Sequence, residues 1–516
     1  MLRFYNLAQK GLWHSDEIDY YLVCHDAIKL FKSSVFCSSG MWQKIDGLYK
    51  TLQMLVQYPP KFAFYLVNSI SWAFVDKHST ILFVNAVASI LTIVTIFFVG
   101  RKFFNLRVGI IASTLFSFSL IYLRYSRNGF SMALTYLFLV LSIYYYLDFL
   151  NNLRIKNLAI SGFILGIGLL FHAQIFLFTL VIIFAEFLSF LYFYHKNISE
   201  FIRRITVFIP AFFLPLALLE ITTNVGRIFH CYSARGYFRQ IFNTTTGNLV
   251  SQQGMHIQPS YYLNVLWRLE SPVISLLAIV SLFFIIRSVL SREKKSQSVF
   301  LVSALFILPY VYWVAQRRLH QVEYNCLGAW PFLFLYIALG VDALFKNIRL
   351  KFFRITAMLF FLIIAVSYSL YHLRTLFEIK SHFPEISKIL KEQKVTKLVI
   401  YKTGGIYAYK NIDPYLMTVE MYPADTMQEV YEIAQKEKVG FCFYGSWEYF
   451  LAKTNNAVVD GELVAKIRDT TMRPHYPLFF MGLMNSGIVN TQEAEAFKDK
   501  IYDYMYLYKI KLTNKS

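Results

Sequence analysis

A chain of 516 residues that is 56% hydrophobic and only 16% charged is too apolar for an ordinary soluble protein, in which about a quarter of residues are charged. Its net charge of +20 would suit a nucleic-acid binder, but the basic residues sit mostly in short loops between apolar runs, the topological bias of membrane proteins, so no nucleic-acid partner is expected. The five cysteines lack metal-ligand spacing, and an odd count speaks against a disulfide framework, although a Cys24–Cys37 bridge would fit an oxidising space.

The first 79 residues read as a long polar loop with interfacial helices. At its front, Leu12 to Tyr21 packs three carboxylates, a histidine and three large aromatics into ten positions. Asp16 and Glu17 are adjacent, so on a helix they would point about 100° apart. One could face a substrate while the other holds the loop or a metal. Further on, Gln57-Tyr58-Pro59-Pro60-Lys61 breaks any helix, and residues 62–75 then read as an amphipathic or re-entrant helix at the interface. Apolar runs follow, each long enough to cross a hydrocarbon core. They predict about ten spans, near 80–99, 108–123, 130–149, 157–171, 173–194, 205–221, 272–290, 299–315, 327–345 and 355–372. This transmembrane bundle occupies 80–374. From 375 to 516 charge rises and the apolar runs shorten to strand length. Residues 397–401 and 439–444 read as buried strands with a helix near 425–438 between them, which predicts a small α/β domain.

Orientation follows from charge. Loops bearing Arg101, Lys102 and Arg107, then Arg154 and Lys156, then Lys196, Arg203 and Arg204, then Arg287, Arg292, Lys294 and Lys295, then Lys346, Arg349, Lys351 and Arg354 alternate regularly. They are assigned to the cytoplasm, which leaves the Asp-Glu segment and the C-terminal domain outside, in a multi-pass cell-membrane protein. The same parity starts the chain outside, so a further N-terminal span is expected to precede it.

Two outward loops break the rule against exterior arginine: one carries Arg124 and Arg127, the other Arg317 and Arg318. Guanidinium groups grip phosphate oxygens in pairs, and a lipid phosphate sits at this depth. His172 stands in a tight outward turn, well placed to assist a carboxylate-centred site. Carboxylates, arginines and a histidine on one face suit transfer of a group from a lipid phosphate. The arginines would offset charge on the leaving phosphate, and a carboxylate would take a proton from the acceptor hydroxyl. A sugar donor would pass through an oxocarbenium-like transition state.

These residues resemble the GT-C-fold glycosyltransferases, in the group of the protein O-mannosyltransferases and the lipid A aminoarabinose transferases. Leu12 to Tyr21 is similar to that group's first-loop Asp-Glu motif. Tyr58-Pro59-Pro60-Lys61 and the aromatic run after it look like its Pro-Pro motif. Arg107-Val108-Gly109 through Tyr125-Ser126-Arg127, with Met132-Ala133-Leu134 beyond, looks like its third-span region, and Arg317-Arg318 before Pro331 resembles its late loop. The resemblance covers roughly residues 1–375. It departs at Gln57 and Tyr58, where the group often has histidine or lysine, and at Asn128, where an acidic residue is usual.

The resemblance implies a GT-C-like helical bundle and inverting transfer of a monosaccharide from a polyprenyl-phosphate donor to an extracytoplasmic lipid, polysaccharide or protein. Asp16 would be the base, with Glu17 supporting it. Arg124, Arg127, Arg317, Arg318, Lys61, Tyr58 and His172 would serve substrate binding. No cofactor is implied; a divalent metal has no support. The alternative is a transporter or flippase of lipid-linked sugars. It is disfavoured because carboxylates within or near span ends, Glu186, Glu220 and Asp342 among them, are few and no internal repeat is seen.

Overall fold

The structure, a computed structural model, describes residues 2–5, 7–10, 12, 15–37, 40–57, 61–74, 79–192, 198–230, 260–290, 296–315, 326–346, 350–377, 381–402, 405–445, 449, 458–468 and 504–511. The chain divides into two compact units. One comprises Met1–Phe4 and Val23–Leu373, the other Tyr5–Leu22 and Arg374–Ser516. The first 79 residues, taken above as one segment, contribute to both.

The first unit is helical. The front of the chain, read above largely as loop, forms helices α1 (Ser15–Phe31, whose first half belongs to the other unit), α2 (Met41–Gln57) and α3 (Phe62–Phe74). The bundle then runs through α4 (Thr80–Val99), α5 (Leu106–Ser117), α6 (Leu120–Ser126), α7 (Met132–Asn152), α8 (Ile155–Phe171), α9 (Ile175–Tyr192), α10 (Ile198–His230), α11 (Pro272–Leu290), α12 (Ser296–Ala315), α13 (Trp330–Lys346) and α14 (Lys351–Phe377). A helix lies at every predicted span. Among the described residues six are long and apolar enough to cross a membrane, and a seventh span is the bent pair α5–α6. The apolar helices at 155–171, 175–191 and 272–287 are shorter. The span expected at 108–123 is therefore broken, and α6 leaves α5 at 65°.

Glycine sets how closely some of these helices meet. Gly162 and Gly166, four apart on α8, face α10. A Cβ at Gly162 would lie 2.7 Å from the Phe208 carbonyl oxygen, and one at Gly166 2.1 Å from that of Phe212. Small residues at this spacing let two backbones approach where lipid offers no hydrophobic drive. The end of the bundle marked by the basic loops is tied by charge pairs. Lys102 reaches Asp148 at 2.8 Å, and Arg107 reaches Asp342 at 2.7 Å. Asn105 caps α5 through Val108 N–H and donates its amide to Asp342 at 2.8 Å. Buried Arg204 lies 2.9 Å from Glu200 and 3.6 Å from Glu186, which also accepts from Tyr146. Cys24 and Cys37 are both free thiols, the first buried against the Tyr65 carbonyl, so the disulfide considered above is absent.

The second unit contains a five-stranded mixed sheet in the order β2-β1-β3-β5-β4. β1 (Lys397–Tyr401) runs parallel to β2 (Glu420–Ala424) and β3 (Phe441–Tyr444), while β5 (Tyr504–Ile510) is antiparallel to β3 and to β4 (Gly461–Arg468). Strand alternation builds two cores. Leu398, Ile400, Phe443 and Leu507 pack on α15 (Phe383–Glu392). Val399, Tyr401, Cys442 and Tyr444 pack on α16 (Met427–Lys436), whose start is fixed by a Thr426–Glu429 capping box.

Gly166→Leu is expected to cost about 1–3 kcal/mol by forcing α8 from α10, read as a lowered unfolding temperature in detergent. Gly440→Ala, where an added methyl meets nothing within 4 Å, should leave that temperature unchanged.

Candidate functional site

The break between α5 and α6 organises the arginine-bearing stretch. Ser119 ends the break as N-cap of α6, its Oγ accepting from Tyr122 N–H at 3.3 Å. A new helix start leaves backbone N–H groups without intrahelical partners, and inside a bundle these cannot be left to water. Glu270, just before α11, supplies the acceptor. Its carboxylate takes the backbone N–H groups of Leu120 and Ile121, the Ser119 hydroxyl at 2.9 Å and the Trp330 indole N–H at 3.0 Å. One buried side chain thus joins α6, the start of α13 and the start of α11.

Burial pushes the Glu270 carboxyl up to about 7, and the four hydrogen bonds pull it back only in part. Tyr368 of α14 lies close enough to feel its charge.

At its other end α6 carries Arg124 in its last turn and Arg127 as C-cap, where cations suit the negative end of the helix dipole. Both are buried, although sequence placed them in a surface loop; Arg127 is only 2% exposed. Arg124 sits 5.7 Å from the Tyr125 ring centroid, and Arg127 donates to the Leu2 carbonyl at 3.1 Å. Burial draws Arg127 down to about 10, which leaves it charged at neutral pH. The turn after it is held from α4. The Asn85 side-chain amide donates to the Asn128 and Phe130 carbonyls, both at 2.6 Å.

A second polar group begins beside α6. The Tyr122 ring faces that of Tyr136 at 6.4 Å, Tyr136 donates to Gln174 Oε1 at 3.1 Å, and Gln174 N–H donates to His172 Nδ1 at 3.1 Å. Because Nδ1 accepts, the neutral ring carries its proton on Nε2. Burial, aided by nearby Lys61, lowers His172 to about 3. It is therefore a neutral hydrogen-bond donor at physiological pH rather than an acid. Lys61 and His172 are brought near one another, as are Arg124 and Arg127.

Asp16 and Glu17 lie in the first turn of α1, within the second unit. Glu17 is fully buried; the Asp16 side chain lies outside the described part. Tyr58, Arg317 and Arg318 lie outside the described residues. Among the described residues no cluster of three or more His, Cys, Asp or Glu could hold a metal ion. Sequence reasoning missed Glu270 and Asn85. A carboxylate directly ahead of Ser271-Pro272 was a visible helix-start signal, but its partners at 119–121 and 330 were not.

In fold the chain is similar to the archaeal oligosaccharyltransferase AglB from Archaeoglobus fulgidus, in a complex with an inhibitory peptide and a dolichol-phosphate, at a TM-score of 0.51 and 14% identity over 84% of this chain and 70% of that one. A zinc and sulfate complex of the same oligosaccharyltransferase gives 0.51 and 13% over 83% and 69%. ArnT from Cupriavidus metallidurans gives 0.48 and 10% over 90% and 94%. No curated protein matches in sequence. The bundle with its α/β region is a GT-C fold, with several apolar helices of a multi-pass membrane protein. More narrowly, residues 58–218, which hold α3 to α9 and the arginine turn, match the family described as dolichyl-phosphate-mannose-protein mannosyltransferase.

Because the Glu270 carboxyl is raised from 4.5 to about 7 in the fold, the folded chain holds a proton there that the unfolded chain has lost. Stability should fall as pH rises from about 4.5 through 7, by roughly 3 kcal/mol in all. Glu270→Gln should flatten that slope in unfolding temperatures measured across the window.

Proposed function

We propose that the chain transfers a monosaccharide from a polyprenyl-phosphate donor to a hydroxyl of an extracytoplasmic lipid, polysaccharide or protein, with inversion at the anomeric carbon. The observation that carries this reading is the pair of buried arginines ending a bent helix within the matched family segment. Guanidinium groups grip phosphate oxygens in pairs, and the dolichol-phosphate in the AglB complex carries such oxygens.

In the proposed step Asp16 takes the proton of the acceptor hydroxyl. That oxygen forms a bond to the anomeric carbon from the face opposite the phosphate. The bond from that carbon to the phosphate oxygen breaks, and its electron pair stays on the phosphate. Arg124 and Arg127, with Arg317, Arg318, Lys61 and Tyr58, offset the charge that develops there. Neutral His172 offers its Nε2–H as a further donor, and Glu17 supports Asp16. A single displacement inverts the sugar. The alternation of basic loops supports an extracytoplasmic site, and the C-terminal α/β region is assigned to acceptor binding on that side.

A flippase of lipid-linked sugars is the second reading, and the broken span α5–α6 favours it, since transporters place ligands at broken helices. The N–H groups exposed at this break, however, are taken by Glu270.

Asp16→Asn is expected to lower sugar transfer by about 10²–10⁴-fold with unchanged expression, and Arg127→Ala by about 10²-fold. Mass spectrometry of surface glycans from a deletion strain complemented with each variant reads both. Full activity of Asp16→Asn would remove Asp16 as base. Sugar transfer absent but lipid translocation retained in liposomes holding the purified wild type would favour the flippase.

A further inference from the structure

Residues 119–131 are a short helix and a turn, yet they carry two buried arginines, Arg124 and Arg127. A helix of seven residues has little stability of its own, so its direction has to be imposed from outside. Two buried side chains do so, one at each end. At the start, Glu270 gathers the Ser119 hydroxyl and the Leu120 and Ile121 N–H groups, and is itself anchored to Trp330. At the finish, Asn85 donates both amide hydrogens to the carbonyls of Asn128 and Phe130, one and three residues after Arg127. Neither Glu270 nor Asn85 belongs to α6 or its turn. They reach it from the lead-in to α11 and from α4.

We infer that Glu270 and Asn85 are positioning residues, a two-point clamp that aims the Arg124–Arg127 end of α6 at the donor phosphate. The inference rests on the reading of these arginines as the phosphate grip. Glu270 does not touch substrate in this scheme. It acts by saturating the helix start, so that the far end of α6 cannot swing. Asn85 acts on the carbonyls of the turn, so that the guanidinium of Arg127 keeps its direction. A carboxamide at 270 keeps the shape but replaces one acceptor oxygen by a donor that faces other donors. A leucine at 85 removes both amide donors at similar volume.

The test uses the full chain in nanodiscs, with undecaprenyl phosphate as the probe. Binding is followed by native mass spectrometry, and the mobility of 118–131 by amide hydrogen exchange. Glu270→Gln and Asn85→Leu are each expected to weaken binding about tenfold and to speed exchange in 118–131, with α8 unaffected. The double variant Glu270→Gln with Arg127→Ala should lose less than the sum of the two single losses, because Glu270 acts in part through Arg127. An additive loss, or wild-type binding and exchange in Glu270→Gln, overturns the inference. If Arg127→Ala itself binds as well as wild type, the phosphate-grip reading fails. Exchange then decides the clamp alone: faster in 118–131 upholds it, unchanged overturns it. Should Glu270→Gln fail to fold, Ser119→Ala removes one donor to the same carboxylate without unpairing a charge. It is expected to weaken binding two- to threefold with a local rise in exchange, and no change in either overturns the clamp.

Discussion

One buried carboxylate closes a gap in the backbone hydrogen bonding of the bundle, and much of the arrangement around it follows. A span that bends by 65° must expose the N–H groups of its second half. In hydrocarbon each unsatisfied group costs several kcal/mol, so a bend of this kind exists only where protein supplies acceptors. Glu270 supplies them from outside the span and draws the starts of two other helices to the same point. The carboxylate is itself costly to bury, which is why its proton affinity is raised. Four donors make that burial tolerable.

The bend also explains where the arginines sit. A straight helix from Leu106 would carry Arg124 and Arg127 onward along the axis of α5. The turned segment keeps them among the other helices, where both are buried. Guanidinium groups so placed have lost most of their water and interact more strongly with any anion that reaches them. The Tyr122–Tyr136–Gln174–His172 series ties α6 to the α8–α9 turn by a tilted ring contact and hydrogen bonds. A neutral histidine is the form that suits such a series, since a charged ring could not accept the Gln174 N–H.

Much of the fold was legible because apolar run length is a direct measure of bilayer thickness. Each predicted span has its helix, and Lys397–Tyr401 is a strand with the predicted bounds. The break at Ser117–Ser119 was not legible, since the run from 108 to 123 stays apolar through it and hydropathy does not register direction. The front segment was read as loop because its carboxylates and tyrosines mask helical spacing, yet Ser15–Phe31 is helical. Strands β2 and β4 were missed because Glu420, Pro423, Glu462 and Lys466 interrupt the apolar alternation that marks a strand, and β5 was missed although its run Tyr504–Ile510 is apolar through Leu507. Of the candidate site, Arg124 and Arg127 were visible as charges set against the topology rule. Their supports were not, because Glu270 and Ser119 are 151 positions apart and nothing local in either announces the other.

The charge pairs at the opposite end of the bundle bear on how the chain is assembled. Arg107 and Asn105 share Asp342, which is made 237 residues after Asn105. Until α13 emerges from the ribosome, the early helices hold an arginine whose counter-charge does not yet exist. The contacts of Asn105 and Arg107 with α13 therefore form only once the late helices have been made. Membrane insertion and completion of the tertiary structure are separate events here, divided by the time needed to translate more than two hundred codons.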